Sequence, residues 1–374
     1  MIVSEKEIER RCNKIRKVMS DKKFDALLIP SAVTQNDTSN VRYITNHRLK
    51  SRREYLVFPV HGDPVYVSPR ENEKVAALSH TWIKDVRVGG IRETLPSTAA
   101  QVLKEQKLDE GEIGIVGMNW VMPYGDFPVL SRELPKAHFK DATDVMNEVR
   151  KIKSEEEIHL IEKATELADR AYERVLELIE PGKSELEIVG EVYKLWIEGG
   201  VERTILLTAA GPDTNGTIDY PAIYSFKKND IYIFSVELAG PCGYWSQIVR
   251  PMYLGKVSNE YHETFKICKS VTDSGLQLLK PGNRICDVVK PMHEAIKRAG
   301  YNVGHWMGHN MGMDVGEPPH LTPEEEATIE EGMVITIHPF VKRNNRGIFT
   351  GDTFVVEKNG PRNLSKTKVE FRAA

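Results

Sequence analysis

The chain has 374 residues, 28% of them charged, and a formal net charge of −3, so it exceeds a typical single core and carries no basic excess to draw it to nucleic acid or an anionic membrane. Its four cysteines, Cys12, Cys242, Cys268 and Cys286, show no Cys-x-x-Cys spacing, the polar opening Met1-Ile2-Val3-Ser4-Glu5-Lys6 is unlike a signal peptide, and no apolar run nears the roughly 20 residues that span a bilayer. The expectation is a cytoplasmic protein with reduced thiols, two domains and no membrane partner.

In chain order, residues 25–30, 54–59, 64–67 and 112–116 are short apolar runs bounded by Pro, Gly or Asp, as buried strands are. They predict an α/β domain over residues 1–150. Just ahead of the second run stand Arg52 and Arg53. Guanidinium forks suit carboxylates through paired hydrogen bonds, which offers these two as substrate-binding residues, whereas a solvated strand edge is the plainer reading.

A long helix opens at Ser154 with Glu157 three residues on, a capping box. Apolar residues recur at Ile158, Ile161, Ala164, Ala168, Ala171, Val175 and Leu178, a single buried stripe that ends before Pro181-Gly182. Ser184 and Glu187 start a second helix that runs to Gly199-Gly200. The plan returns about one hundred residues later: a helix from about Tyr261 to Leu279, Pro281-Gly282, and a helix from about Cys286 to Gly300, again ahead of strands. Such duplication is what a pseudo-two-fold α+β domain over residues 151–374 requires. Two halves of that kind curve their sheets around one pocket, with residues 219–247 as one wall and 305–352 as the other. Asp219, Glu237, Gln247, His305, His309, Glu317 and His338 would then converge.

Two segments near the C-terminus sharpen this. Gly308-His309-Asn310-Met311-Gly312-Met313-Asp314-Val315-Gly316-Glu317-Pro318-Pro319 and Glu331-Gly332-Met333-Val334-Ile335-Thr336-Ile337-His338-Pro339 resemble the GHGxGxxxHExP and GMVxTxEP signatures of the creatinase/aminopeptidase P/prolidase family. The resemblance implies a C-terminal pita-bread domain, a smaller N-terminal creatinase-like domain and a homodimer. It also implies five metal ligands, of which only His309 survives as a family ligand. His338 stands where that family has a glutamate, Gly351 falls on another glutamate, and Gln247, anchored by Gly243-Tyr244, falls on an aspartate. The remaining aspartate falls on Val236 or Glu237, depending on a one-residue gap. Asp219 lies where family members have a substrate-contacting histidine, Gly316 where they have a second active-site histidine, and Arg52-Arg53 near a loop that in creatinase reaches across a dimer to the substrate carboxylate.

Two divalent ions need bridging carboxylates for charge and span, and neither Gln247, His338 nor Gly351 supplies one. No cofactor is therefore expected, and a single divalent ion on His309, His338 and Glu237 is the metal alternative. Two imidazoles beside a carboxylate can divide an acid/base task near neutral pH. The expected catalytic set is His309 and His338, with Glu237 or Asp219 orienting one of them; Gln247, His305, Arg52 and Arg53 are the substrate-binding candidates. The plainer readings give His305 a backbone hydrogen bond, Gln247 a strand cap, and Glu317 a turn or surface place before two prolines. The expected activity is metal-independent hydrolysis of a C–N bond, or elimination, on a small carboxylated nitrogenous molecule. The alternatives are an inactive peptidase-like binding module and a mononuclear metal hydrolase.

Overall fold

The computed structural model describes residues 3–32, 39–50, 53–304 and 306–374. Contacts divide the chain into Met1–Arg150 and Lys151–Ala374. The first unit runs α1 (Glu5–Asp21), β1 (Ala26–Ala32), α2 (Asn40–Thr45), β2 (Arg53–Pro59), β3 (Val65–Ser68), α3 (Glu71–Leu78), β4 (Asp85–Val88), α4 (Thr94–Glu105), β5 (Glu112–Ile115), α5 (Asp126–Glu133), β6 (His138–Asp141) and α6 (Thr143–Arg150). The strands form a mixed sheet in the order β4-β3-β2-β1-β5-β6. Its central strands are apolar on both faces, with Leu28, Val57 and Val67 on one and Leu27, Leu56 and Phe58 on the other all but fully buried. β4 and β6 escape a reading of apolar runs because they are short, polar edge strands.

The second unit begins with α7 (Glu155–Leu178) and α8 (Glu185–Glu198), both opened by complete capping boxes at Ser154 and Ser184. Three long antiparallel strands follow: β7 (Arg203–Gly211), β8 (Ile231–Ala239) and β9 (Trp245–Tyr253). Then come α9 (Asn259–Leu278), α10 (Ile285–Arg298), β10 (Asn302–Val303), β11 (Gly308–Asn310), β12 (Glu317–His320), β13 (Val334–Ile337), β14 (Phe340–Arg343), β15 (Arg346–Phe349), β16 (Asp352–Glu357), β17 (Gly360–Asn363) and β18 (Arg372–Ala373). The internal repeat has a local counterpart in each half. Gly182 and Gly282 each lie in the turn four residues past their helix with a positive φ, +98° and +94°, and their N–H groups donate to Phe226 O and Ile329 O. No L-residue with a side chain adopts that φ cheaply.

Ala164, Ala168, Ala171 and Val175 of α7 pack on Val236, Leu238 and Ile248 in one core. Full burial of each such Val, Leu or Ile side chain contributes about 1.5–3 kcal/mol. Because successive strand residues point to opposite faces, the helix-side burial of Val236 and Leu238 turns Glu237 to the other face. There the β18-β9-β8-β7 sheet meets the β12-β11-β13-β16-β17 sheet at a seam. Val249 and Gly351 exchange backbone hydrogen bonds, and the Thr353 hydroxyl both accepts from Gln247 N at 3.1 Å and donates to Gln247 O at 3.0 Å.

Candidate functional site

The seam brings Glu237, Gln247, His309 and His338 into one neighbourhood. Glu237 and Gln247 are register partners on β8 and β9, which makes their side chains neighbours on one face. Of the two residues left open, Glu237 shares that face with Gln247, while Val236 lies in the helix-side core. His309 on β11 pairs with Thr336 of β13, which pairs in turn with Thr353 of β16. That ladder sets its imidazole toward β8, with Nε2 3.9 Å from Glu237 Oε1. His309 Nδ1 lies 3.1 Å from Asn310 O. A carbonyl only accepts, so Nδ1 carries the proton and a neutral His309 offers the Nε2 lone pair to the Glu237 side.

His338 follows β13, tied by its N–H to Met307 O, and its ring centroid is 5.2 Å from that of His309. Trp306 lies 5.4 Å from His309 and 6.2 Å from His338, and Phe349 5.6 Å from His338. Both histidines are about 97–98% buried, and the aromatic wall keeps the local dielectric low. The same burial pushes the Glu237 carboxyl up to about 7. Gln247 is 3% exposed, and its Oε1 meets no protein donor among the described residues. Such an acceptor is costly to bury without a partner.

Other candidates lie elsewhere. Asp219 is exposed; its backbone pairs with Thr208 and its carboxylate accepts from Tyr220 N. Glu237 stands beside His309. Arg53 sits on β2 in the first unit with its guanidinium on Asp126, a salt bridge in place of a solvated edge. Arg52 and His305 fall outside the described residues. Glu317 corrects the surface reading: it is 5% exposed on β12, and its Oε2 is 3.1 Å from the ammonium of buried Lys153. Prolines on both following positions suggested a turn, whereas they continue an edge strand whose missing N–H groups cost nothing there.

Three features went unseen in the sequence: Trp306, Lys153, and Arg250, which is fully buried on Asp352 and Gly351 O behind the seam. An aromatic residue two positions before the Gly308-His309 motif was a usable signal for Trp306. A lysine or arginine carries no local mark of burial.

A carboxylate-bridged pair of ions does not fit these residues. Gln247 is neutral, and a Cβ on Gly351 would lie 2.9 Å from His338 Cβ, so the position that would carry a bridging carboxylate has no room for one. Among the described residues no three His, Cys, Asp or Glu side chains form a metal-holding group, and no helix is long and apolar enough to cross a membrane.

Residues 159–358, more than half of the chain, match the profile of metallopeptidase family M24, and residues 11–152 match that of the creatinase/prolidase N-terminal domain. The chain is 29% identical over 281 residues to a Xaa-Pro dipeptidase of Pyrococcus horikoshii, covering 72% of this chain and 80% of that one. It is 25% identical over 392 residues to an ectoine hydrolase of Halomonas elongata, covering 94% and 93%. The crystal structure of the prolidase from Pyrococcus horikoshii OT3 superposes with a TM-score of 0.84 at 26% identity, over 96% of this chain and 99% of that one.

Proposed function

The chain belongs to metallopeptidase family M24, and on that premise we propose that it is a hydrolase of a C–N bond in a small, carboxylated, nitrogenous molecule, working without the family's two-ion centre. One observation carries this reading: Glu237 and two buried imidazoles converge, with Glu237 Oε1 3.9 Å from His309 Nε2, where bridging carboxylates are replaced or absent. A relative named ectoine hydrolase and one named a peptidase each align over 94% of the chain, so the preference for a small molecule over a peptide rests on the site and both substrate types belong in the test.

In the proposed reaction one imidazole takes a proton from water as its oxygen bonds to the substrate carbon, and the other gives a proton to the departing nitrogen. Glu237 orients His309 and balances the charge it gains. Gln247 Oε1 accepts a hydrogen bond from substrate. Positioned proton transfer of this kind contributes roughly 100- to 10,000-fold per group. Elimination beta to a carboxylate would use the same pair without water.

The alternative of a single ion rests on the approach of His309 Nε2 to Glu237 Oε1, two donor types that suit zinc or iron. The test is a panel of carboxylated amidines, ureas and amides, with ectoine and an Xaa-Pro dipeptide included, scored for amine release before and after chelation. Turnover of a small member, unchanged by chelator and lost in His309→Ala, supports the proposal. Turnover lost to chelator and restored by one equivalent of metal moves it to the single-ion reading, and an inactive wild type across the panel moves it to a binding module.

A further inference from the structure

Lys153 enters the second unit one residue ahead of the α7 N-cap, held by its N–H on Gly332 O at 2.9 Å. Its ammonium reaches Glu317 Oε2 at 3.1 Å, with the two side chains 2% and 6% exposed. The other oxygen of Glu317 accepts from Asp314 N at 3.2 Å. Gly312 passes so close that a Cβ there would lie 2.5 Å from that same oxygen. Gly312 O in turn accepts from Trp245 N at 2.8 Å, two residues from Gln247. Asn310, the register partner of Glu317, donates through Nδ2 to Pro318 O at 3.0 Å, and Asn310 O is the carbonyl that orients the His309 ring.

A buried ion pair is a poor stability device, because desolvation of both charges offsets much of their attraction and an apolar pair of similar volume serves as well. What the charges supply and an apolar pair cannot is direction. One carboxylate oxygen is held to the ammonium while the other is aimed at the Asp314 amide, which fixes the course of residues 311–316 and the strand carrying His309.

We propose that the Lys153–Glu317 pair is a positioning device that sets the orientation of His309 through the loop between β11 and β12. For activity this rests on the reading of His309 as an acid/base group; for the orientation of the ring it does not. Lys153 and Glu317 act through His309 and touch no substrate in this account.

The test uses the full chain with 15N-labelled histidine, the His309 ring signals being assigned by their loss in His309→Ala. In Glu317→Gln the His309 signals are expected to move while those of exposed His159 stay in place, and kcat to fall roughly tenfold to a hundredfold with KM little changed, as misplacement of a reacting group does. The double variant Lys153→Met/Glu317→Leu is expected to recover the melting temperature without recovering kcat or the wild-type His309 signals. A merely structural pair would behave oppositely, kcat returning with stability. Unmoved His309 signals in the double variant overturn the proposal even if the wild type turns over none of the panel, and they decide the matter alone should Glu317→Gln fail to fold.

Discussion

Replacement of Glu237 by Gln removes a charge and little else, since the amide keeps the shape and one acceptor. The carboxylate stands 3.9 Å from His309 Nε2, and at an effective dielectric near 20 the attraction between it and a protonated His309 has a ceiling of about 4 kcal/mol. With the Glu237 side chain 17% exposed, screening leaves roughly 2–3 kcal/mol, or a loss of about 30- to 150-fold in kcat/KM. Burial raises the Glu237 carboxyl to about 7, so the charge that supports His309 is present above that pH and lost below it. The kcat/KM of the wild type is therefore expected to rise with pH through about 7. In Glu237→Gln the share of that limb owed to the carboxyl should be lost along with the rate, leaving the limb of the imidazole that must be neutral to take the proton. The assay is amine release from the best substrate of the panel, followed from pH 5 to 9 for both proteins. A variant within threefold of wild type, or one whose pH profile matches that of wild type point for point, would refute the assigned role.

His309→Ala and His338→Ala should each lower turnover roughly 100- to 10,000-fold with the fold intact, checked by single-turnover rates beside circular dichroism; near-wild-type turnover in the double variant would end the acid/base assignment. Gly351→Ala places a Cβ 2.9 Å from both His338 Cβ and Val249 Cγ2, and such overpacking is expected to cost about 1–3 kcal/mol in denaturant unfolding and to lower activity by moving His338. In the first unit, burial raises the Glu54 carboxyl from 4.5 to about 8. From pH 4.5 to 8 the folded chain keeps a proton that the unfolded chain has released, so stability declines as pH rises across that window, by roughly 5 kcal/mol at most. Glu54→Gln should therefore gain stability over wild type at pH 8.5 relative to pH 5 in urea melts, and an equal difference at both pH values would contradict this.

Much of the scaffold could be read from residues whose local chemistry is self-sufficient. Ser154 with Glu157 and Ser184 with Glu187 announce helix starts because the bonds they make are three residues apart, and Pro181-Gly182 and Pro281-Gly282 announce ends for the same reason. The strands β4 and β6 gave no such mark, being four residues each and largely polar. At the site, the histidines were recognisable from motif spacing, yet the choice between Val236 and Glu237 needed the β8–β9 register, because a one-residue shift turns every side chain of a strand to its other face. Glu317 and Lys153 were illegible for a different reason. Charged residues are almost always exposed unless paired, and their pairing spans 164 residues of chain. Asp219 joined the expected set by alignment alone, and its place on an exposed loop is a tertiary fact that spacing does not encode.

Metal content measured together with activity tests the central claim most directly. Elemental analysis of purified protein that turns over a panel substrate, before and after exhaustive chelation, should find no two equivalents of manganese, cobalt or zinc per chain and no fall in turnover as trace metal is removed. Two equivalents per chain, lost together with activity and restored together on adding metal, would contradict the account.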